Sequence, residues 1–213
     1  MTKPILIMGA TSGIGRCALD EAVRRGLPVR AFARSADSLD ATDLVEPFKG
    51  DATSAEDVAR ALSGAQAVVY ALGITERLAM LWEEETLFSE TTRVLLEAMA
   101  TSDVSRLVVV TGFGAGRSKT AMSWVERTGH RAILGKPYAD KDRQEDLIMA
   151  SAADWTIARP VILTKGARTE TYRVLRDPKT WRNGLISRAS VAHYLIDAVE
   201  QGLDVKADVV LTR

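Results

Sequence analysis

Three glycines, Gly9, Gly13 and Gly15, with Thr11 and Ser12 among them, follow the apolar run Ile5-Leu6-Ile7-Met8 and open a stretch of helical period. This is the pattern of a strand that turns sharply into a helix where backbone must approach a ligand without Cβ clashes. The helix start then offers unpaired N–H groups and the positive end of its dipole to a pyrophosphate. Gly9, Thr11, Ser12, Gly13, Ile14 and Gly15 are therefore candidate dinucleotide-binding residues. A turn serving backbone geometry alone is the competing reading. About twenty residues on, a second apolar run ends in Phe32-Ala33-Arg34-Ser35. A site for NAD would place Asp or Glu there to hold the ribose 2′-hydroxyl. A guanidinium followed by a hydroxyl instead suits a 2′-phosphate, so Arg34 and Ser35 point to NADP(H) in preference to NAD(H). Asp37 lies close enough in sequence to neutralise Arg34.

Elements at the right places must carry such a turn. Short apolar runs at Pro4–Met8, Pro28–Ala33, Glu46–Lys49, Ala67–Leu72, Arg106–Thr111, Trp155–Ala158 and Asp208–Leu211 read as strands. Several are apolar throughout, as strands covered on both faces are. Between them Gly13–Arg25, Ser54–Leu62, Glu84–Ala100, Tyr138–Ala150 and Ser190–Glu200 carry apolar residues at three- and four-residue intervals. In the third of these Leu87, Val94, Leu95 and Met99 share a stripe, and Ser54 with Asp57 forms a Ser-x-x-Asp start signal. Strand–helix alternation predicts an α/β, Rossmann-like, doubly wound and mostly parallel sheet with helices on both faces. No repeat or linker divides the chain, so residues 1–213 read as one domain. The stretches Arg117–Arg131 and Lys165–Trp181 fit neither element, and substrate-side segments are expected at about 113–137 and 163–187.

Composition narrows the function classes. The 213 residues carry 28 Lys and Arg against 28 Asp and Glu, so no global field draws the chain to nucleic acid or an anionic membrane. One cysteine, Cys17, and two histidines give neither an internal disulfide nor a zinc signature, and no metal is expected. No apolar run approaches the ~18–20 residues that cross a bilayer, and no signal-peptide pattern opens the chain. A cytoplasmic protein acting on a small molecule is expected, as a monomer or small homo-oligomer.

The glycine spacing resembles that of the short-chain dehydrogenase/reductase superfamily. Further along, Gly50-Asp51-Ala52, Ala71-Leu72-Gly73, Lys141 four residues before Glu145, Trp155 to Pro160 and Ile186 to Ala192 resemble its short atypical branch. That branch includes NmrA-like proteins and the flavin reductase/biliverdin-IXβ reductase group. The resemblance implies that Asp51 and Ala52 lie against an adenine and that Leu72 and Gly73 line the cofactor's passage. It also implies Thr111 beside a nicotinamide, with Pro160, Val161 and Ile162 flanking its carboxamide. Gly50-Asp51 as a plain turn and Leu72 as a core residue are the ordinary alternatives.

Conventional members of that superfamily supply a proton from a Tyr-x3-Lys pair, whose ammonium lowers the phenol pKa. Here Tyr70, Tyr138, Tyr172 and Tyr194 are followed four residues later by Ile74, Asp142, Arg176 and Ala198. The nearest substitute is Tyr138 with Lys141, three residues apart on one helix face. Pro137 would put Tyr138 in the first turn, where its ring would point out of the site. Lys141 either contacts cofactor ribose, orders a water, or is a solvated lysine. Thr111 either donates a hydrogen bond to substrate or bonds backbone at a strand end, and Gly112 stands where the superfamily often has a second hydroxyl. Val161 stands where the flavin and biliverdin reductases tend to have histidine. Phe113 and Trp124 could wall a planar acceptor or pack in the core. Six basic residues between Lys165 and Arg182 could hold an anionic substrate or form a solvated face. The expectation is an NAD(P)H-dependent reductase of a small conjugated acceptor (flavin, quinone or tetrapyrrole). The alternative is an NmrA-like redox sensor that binds dinucleotide without turnover.

Overall fold

The computed structural model describes residues 3–73, 86–122 and 138–213. The opening strands β1 (Ile5–Met8), β2 (Val29–Ala33) and β3 (Val45–Lys49) are joined through helix α1 (Gly13–Arg24) and the turn Ala36–Ser38. Helix α2 (Ala55–Leu62), strand β4 (Ala67–Tyr70), helix α3 (Leu87–Ala100) and strand β5 (Arg106–Val110) follow. Helix α4 covers 138–150 and leads into β6 (Asp154–Pro160). Then come the short strands β7 (Ile162–Thr164), β8 (Arg173–Leu175) and β9 (Leu185–Ser187), helix α5 (Arg188–Glu200) and strand β10 (Ala207–Thr212).

Eight strands form one sheet in the order β3-β2-β1-β4-β5-β6-β10-β8, parallel except where β8 runs against β10. Every residue of β1 and β4 is buried because both faces are covered, and alternate side chains serve opposite layers. Ile5 and Ile7 pack with residues of α1 and α5, whereas Leu6 and Met8 pack with residues of α2, α3 and α4. That is the doubly wound α/β arrangement, and the expected sheet is confirmed. Pro47 is tolerated because β3 is an edge strand.

Local signals explain the helix ends. The Ser54 hydroxyl accepts the Asp57 amide hydrogen at 3.3 Å. The Asp57 carboxylate does not return to Ser54 but accepts the Asp51 amide at 2.9 Å, tying α2 to the loop after β3. The three short strands were not legible as strands. β7 and β9 pair only with each other, in parallel, and β8 extends the sheet edge beside β10.

Candidate functional site

The strand order reverses at β1, which pairs with β2 on one side and β4 on the other. At such a switch point the loops leaving adjacent strands part company and leave a crevice at their carboxyl ends. A cleft of about 250 Å³ occupies it, lined by Gly9, Thr11, Ser12, Arg34, Ser35, Asp51, Ala52, Leu72 and Gly73 among others. Leu72 and Gly73 pass on to a second hollow of about 540 Å³, with Ser12, Gly13, Ile14, Thr111, Lys141 and Pro160 in its walls. Thr111, Lys141 and Pro160 are shared in turn with a third, of about 420 Å³, that reaches Gly112, Phe113, Tyr138, Val161 and Ile162. One groove therefore runs along the carboxyl ends of β3, β2, β1, β4, β5 and β6.

The glycine turn is tight for a steric reason. A Cβ on Gly9 would stand 2.7 Å from the Ala71 carbonyl oxygen, and one on Gly15 would stand 2.2 Å from the Gly9 carbonyl oxygen. Gly15 is buried and does not line the groove, so its part is to let α1 pack onto the turn. Ser12, at the N-cap of α1, makes no side-chain capping bond, and the first turn carries no acid. That leaves the positive helix end for an anion. Ser35 donates to Thr11 at 3.2 Å, joining the first turn to the end of β2. Arg34 is exposed at the groove wall, and Asp37 does not neutralise it: Asp37 pairs with Lys49 at 2.5 Å. The Asp51 carboxylate accepts from the Thr53 amide and hydroxyl at 2.9 and 2.8 Å. These bonds, with Arg34 adding to them, hold its pKa below the ordinary carboxylate value. A steric cradle, a free helix dipole and a cation at the end of β2 fit a phosphorylated dinucleotide.

At the other end three expectations need correction. The Tyr138 ring does not point out of the site; it lines the outer hollow, and its hydroxyl lies 2.7 Å from where a Gly112 Cβ would be. The missing side chain at 112 is the space that the phenol fills. Thr111 is not a donor to a ligand and is not bonded to backbone through its hydroxyl: that hydroxyl donates to Glu145 Oε1 at 2.7 Å. Toward a ligand it can only accept. Lys141 is not a solvated lysine; its ammonium donates to the Thr111 carbonyl at 2.6 Å and lies over the Phe88 and Tyr138 rings at 4.9 and 5.5 Å. Burial pulls its pKa down to about 8, against the opposing pull of Glu145. Burial, with Glu145 adding to it, pushes the Tyr138 phenol up to about 12. The ammonium sits on the ring rather than at the hydroxyl, so the pair lacks the phenol activation of a Tyr-x3-Lys arrangement.

Sequence reasoning passed over the support beneath these residues. Arg159, fully buried at the end of β6, donates to Glu145 Oε1 at 3.0 Å and Oε2 at 2.6 Å, and to Asp208 at 2.5 Å. Arg117 closes on the same Asp208 from outside, and the Trp181 ring lies 5.1 Å from the Arg159 guanidinium. Burial alone would lower the Arg159 pKa, but the bonds to both carboxylates raise it. The available signal was an arginine at the end of a strand whose one other charge is Asp154 at its start, with Lys141-x3-Glu145 on the facing helix.

The remaining candidates are placed as follows. Phe113 is buried and lines the outer hollow, while Trp124, Pro137 and His130 lie outside the described residues. None of the six basic residues from Lys165 to Arg182 lines the groove, and Arg168 and Arg176 are taken up by Glu170 and Asp204. Cys17 is half-buried against the core, its thiol pushed up by burial. Among the described residues there is no group of metal-ligating side chains, and no helix is long and apolar enough to cross a membrane.

The fold and groove together define a dinucleotide-binding protein of Rossmann type. A family model described as NAD(P)H-binding matches residues 9–202, and the chain belongs to that family. Among solved structures it is similar to ChuY, an anaerobillin reductase of Escherichia coli, with TM-score 0.80 and 24% identity over 98% of this chain and 96% of that one. A short-chain dehydrogenase/reductase of Veillonella parvula in complex with NADP gives TM-score 0.83 at 15% identity over 100% and 95%. The oxidoreductase ylbE of Lactococcus lactis gives 0.81 at 16% over 99% and 90%. At these identities the likeness is one of fold.

Proposed function

We propose that the chain is a reductase that binds NADPH in preference to NADH and reduces a small conjugated acceptor of the flavin, quinone or tetrapyrrole kind. The observation that carries this reading is the unbroken groove from Arg34 to Tyr138, with phosphate-binding chemistry at one end and a mostly apolar hollow at the other. Bound in the groove, the reduced nicotinamide supplies the hydride. Arg34 and Ser35 hold the 2′-phosphate, the amides from Thr11 to Ile14 hold the pyrophosphate (those of Gly9 and Ala10 donate to the Phe32 carbonyl), and Asp51 and Ala52 border the adenine. Leu72 and Gly73 line the passage, Pro160, Val161 and Ile162 flank the nicotinamide, and the Thr111 hydroxyl accepts from an N–H such as a carboxamide's. Lys141 fixes the Thr111 backbone.

Phe113 and Tyr138 border the acceptor. The Tyr138 phenol, protonated throughout the neutral range, donates a hydrogen bond to the oxygen or nitrogen that gains charge. With so high a pKa it stabilises charge better than it transfers a proton, which suits acceptors whose conjugation delocalises the added electrons. Mixing protein and NADPH with FMN, quinones and biliverdin, and following the reduced-nicotinamide absorbance, tests the proposal. Oxidation supports it. Saturable NADPH binding without oxidation across the panel overturns it in favour of a dinucleotide-binding redox sensor.

A further inference from the structure

Arg188, the first residue of α5, lines both the middle and the outer hollows of the groove. It is partly buried, and its hydrogen bond to the Thr164 carbonyl is long, at 3.4 Å. Other arginines near the groove's end are held by carboxylates, Arg159 by Glu145 and Asp208 and Arg117 by Asp208. Among the described residues Arg188 forms no ion pair, and none of those that line either hollow is acidic. The second cation there, Lys141, already donates to the Thr111 carbonyl. Withdrawing a guanidinium from water without a counter-charge is unfavourable, and a ligand that brings the anion relieves it. Next to it Pro160, Val161, Ile162 and Leu163 form an apolar shelf, and Ile162 is 58% exposed, although exposure of so large an aliphatic side chain is itself unfavourable.

We infer that Arg188 is the anchor for an anionic group on the acceptor, a carboxylate or phosphate monoester on a flat apolar body that lies along the Pro160–Leu163 shelf. The planar guanidinium offers such a group two parallel N–H donors. This rests on the proposed reductase reading and sharpens it: the acceptors are conjugated oxyanions rather than neutral quinones. The inner hollow also contains Ser12, Gly13 and Ile14, so the dinucleotide's own phosphates are the competing partner for Arg188.

Two matched pairs separate these cases. FMN and riboflavin share the isoalloxazine and differ in a phosphate; biliverdin and its dimethyl ester differ in their carboxylates. Binding to the NADP+-saturated protein is read without turnover, by flavin fluorescence and bilin absorbance. The wild type binds the anionic member of at least one pair about tenfold or more tighter. Which pair shows the preference tells phosphate from carboxylate. Arg188→Met abolishes it by weakening the anionic member alone, Arg188→Lys restores part of it, and NADP+ affinity stays within about twofold. Thermal unfolding checks that both variants fold, and Arg188→Gln is the second neutral variant. Equal affinities within both pairs, a preference that survives Arg188→Met, or no binding of any of the four overturns the inference. Weakened NADP+ binding instead assigns the guanidinium to the cofactor. A preference lost in Arg188→Met with no NADPH oxidation in the wild type leaves the anion site standing and overturns only the reductase reading.

Discussion

Replacing Gly112 with alanine would place a methyl carbon 2.7 Å from Tyr138 Oη and 3.3 Å from its Cζ. Carbon and oxygen settle at about 3.4 Å, so the hydroxyl has to retreat by roughly 0.7 Å. The backbone offers no resistance, because Gly112 is not among the glycines of positive φ, and the obstacle is the far end of a side chain that can swing. Alanine also lowers the entropy of the unfolded chain, worth about 0.4–1 kcal/mol where the conformation is compatible. Stability should therefore change little. The hydroxyl proposed to border the acceptor, however, is moved by most of an ångström, and displacements of about 1 Å cost up to about 10²-fold in rate. Steady-state NADPH oxidation with an acceptor that turns over should show kcat down by about 10- to 100-fold in Gly112→Ala, with a melting temperature close to wild type. Tyr138→Phe should lose at least as much, and the double variant should be no worse than Tyr138→Phe alone, because both changes remove one interaction. Wild-type kcat in Gly112→Ala, or fully additive losses in the double variant, would refute the assignment of the phenol to the reacting centre.

Other outcomes follow from the same geometry. Arg34→Ala should weaken NADPH binding by about 1–3 kcal/mol in calorimetric titrations and leave NADH nearly unchanged; equal losses would take Arg34 away from the 2′-phosphate. Gly15→Ala forces a methyl against the Gly9 carbonyl, which as backbone cannot swing aside, so urea unfolding should show a loss of about 1–3 kcal/mol or more together with lost dinucleotide binding. Arg159→Leu leaves the Glu145 and Asp208 carboxylates without their buried partner and should cost about 3–5 kcal/mol, read in the same way. Lys141 has a folded-state pKa of about 8, below its ordinary 10.5, so the unfolded chain binds more protons between those values. Its contribution to stability is least favourable below pH 8 and improves as pH rises to about 10.5, over a range on the order of 3 kcal/mol. The stability difference between Lys141→Met and wild type should therefore shift toward wild type across that window, and a pH-independent difference would contradict the burial of the charge.

The seven parallel strands of the main sheet and the start of α1 were legible because their causes are local. Continuously apolar runs such as Leu107-Val108-Val109-Val110 announce burial on both faces, and the glycines of residues 9–15 announce a close turn wherever the chain goes afterwards. The short strands β7, β8 and β9 carry no such signal. Each has three residues: β8 forms against β10, which the main sheet already holds, and β7 and β9 form only against each other. The placement of the Tyr138 ring is not legible for a related reason: helix position alone does not reveal that a residue 26 places earlier in the chain lacks a side chain and leaves room for the ring.

The sequence by itself therefore determined that this chain forms an NAD(P)H-binding, doubly wound sheet, because period and turn chemistry are written in neighbouring residues and the alternation of strand with helix in their succession. The tertiary structure alone decided how the outer end of the groove is wired. It turned the Thr111 hydroxyl toward Glu145, set Lys141 on the Tyr138 ring, and left Arg188 facing the groove with no acid among the described residues that line it there. These are contacts between side chains far apart along the chain, and their protonation and hydrogen-bond roles are fixed by which charges and how little water surround them, quantities that exist only once the chain has closed.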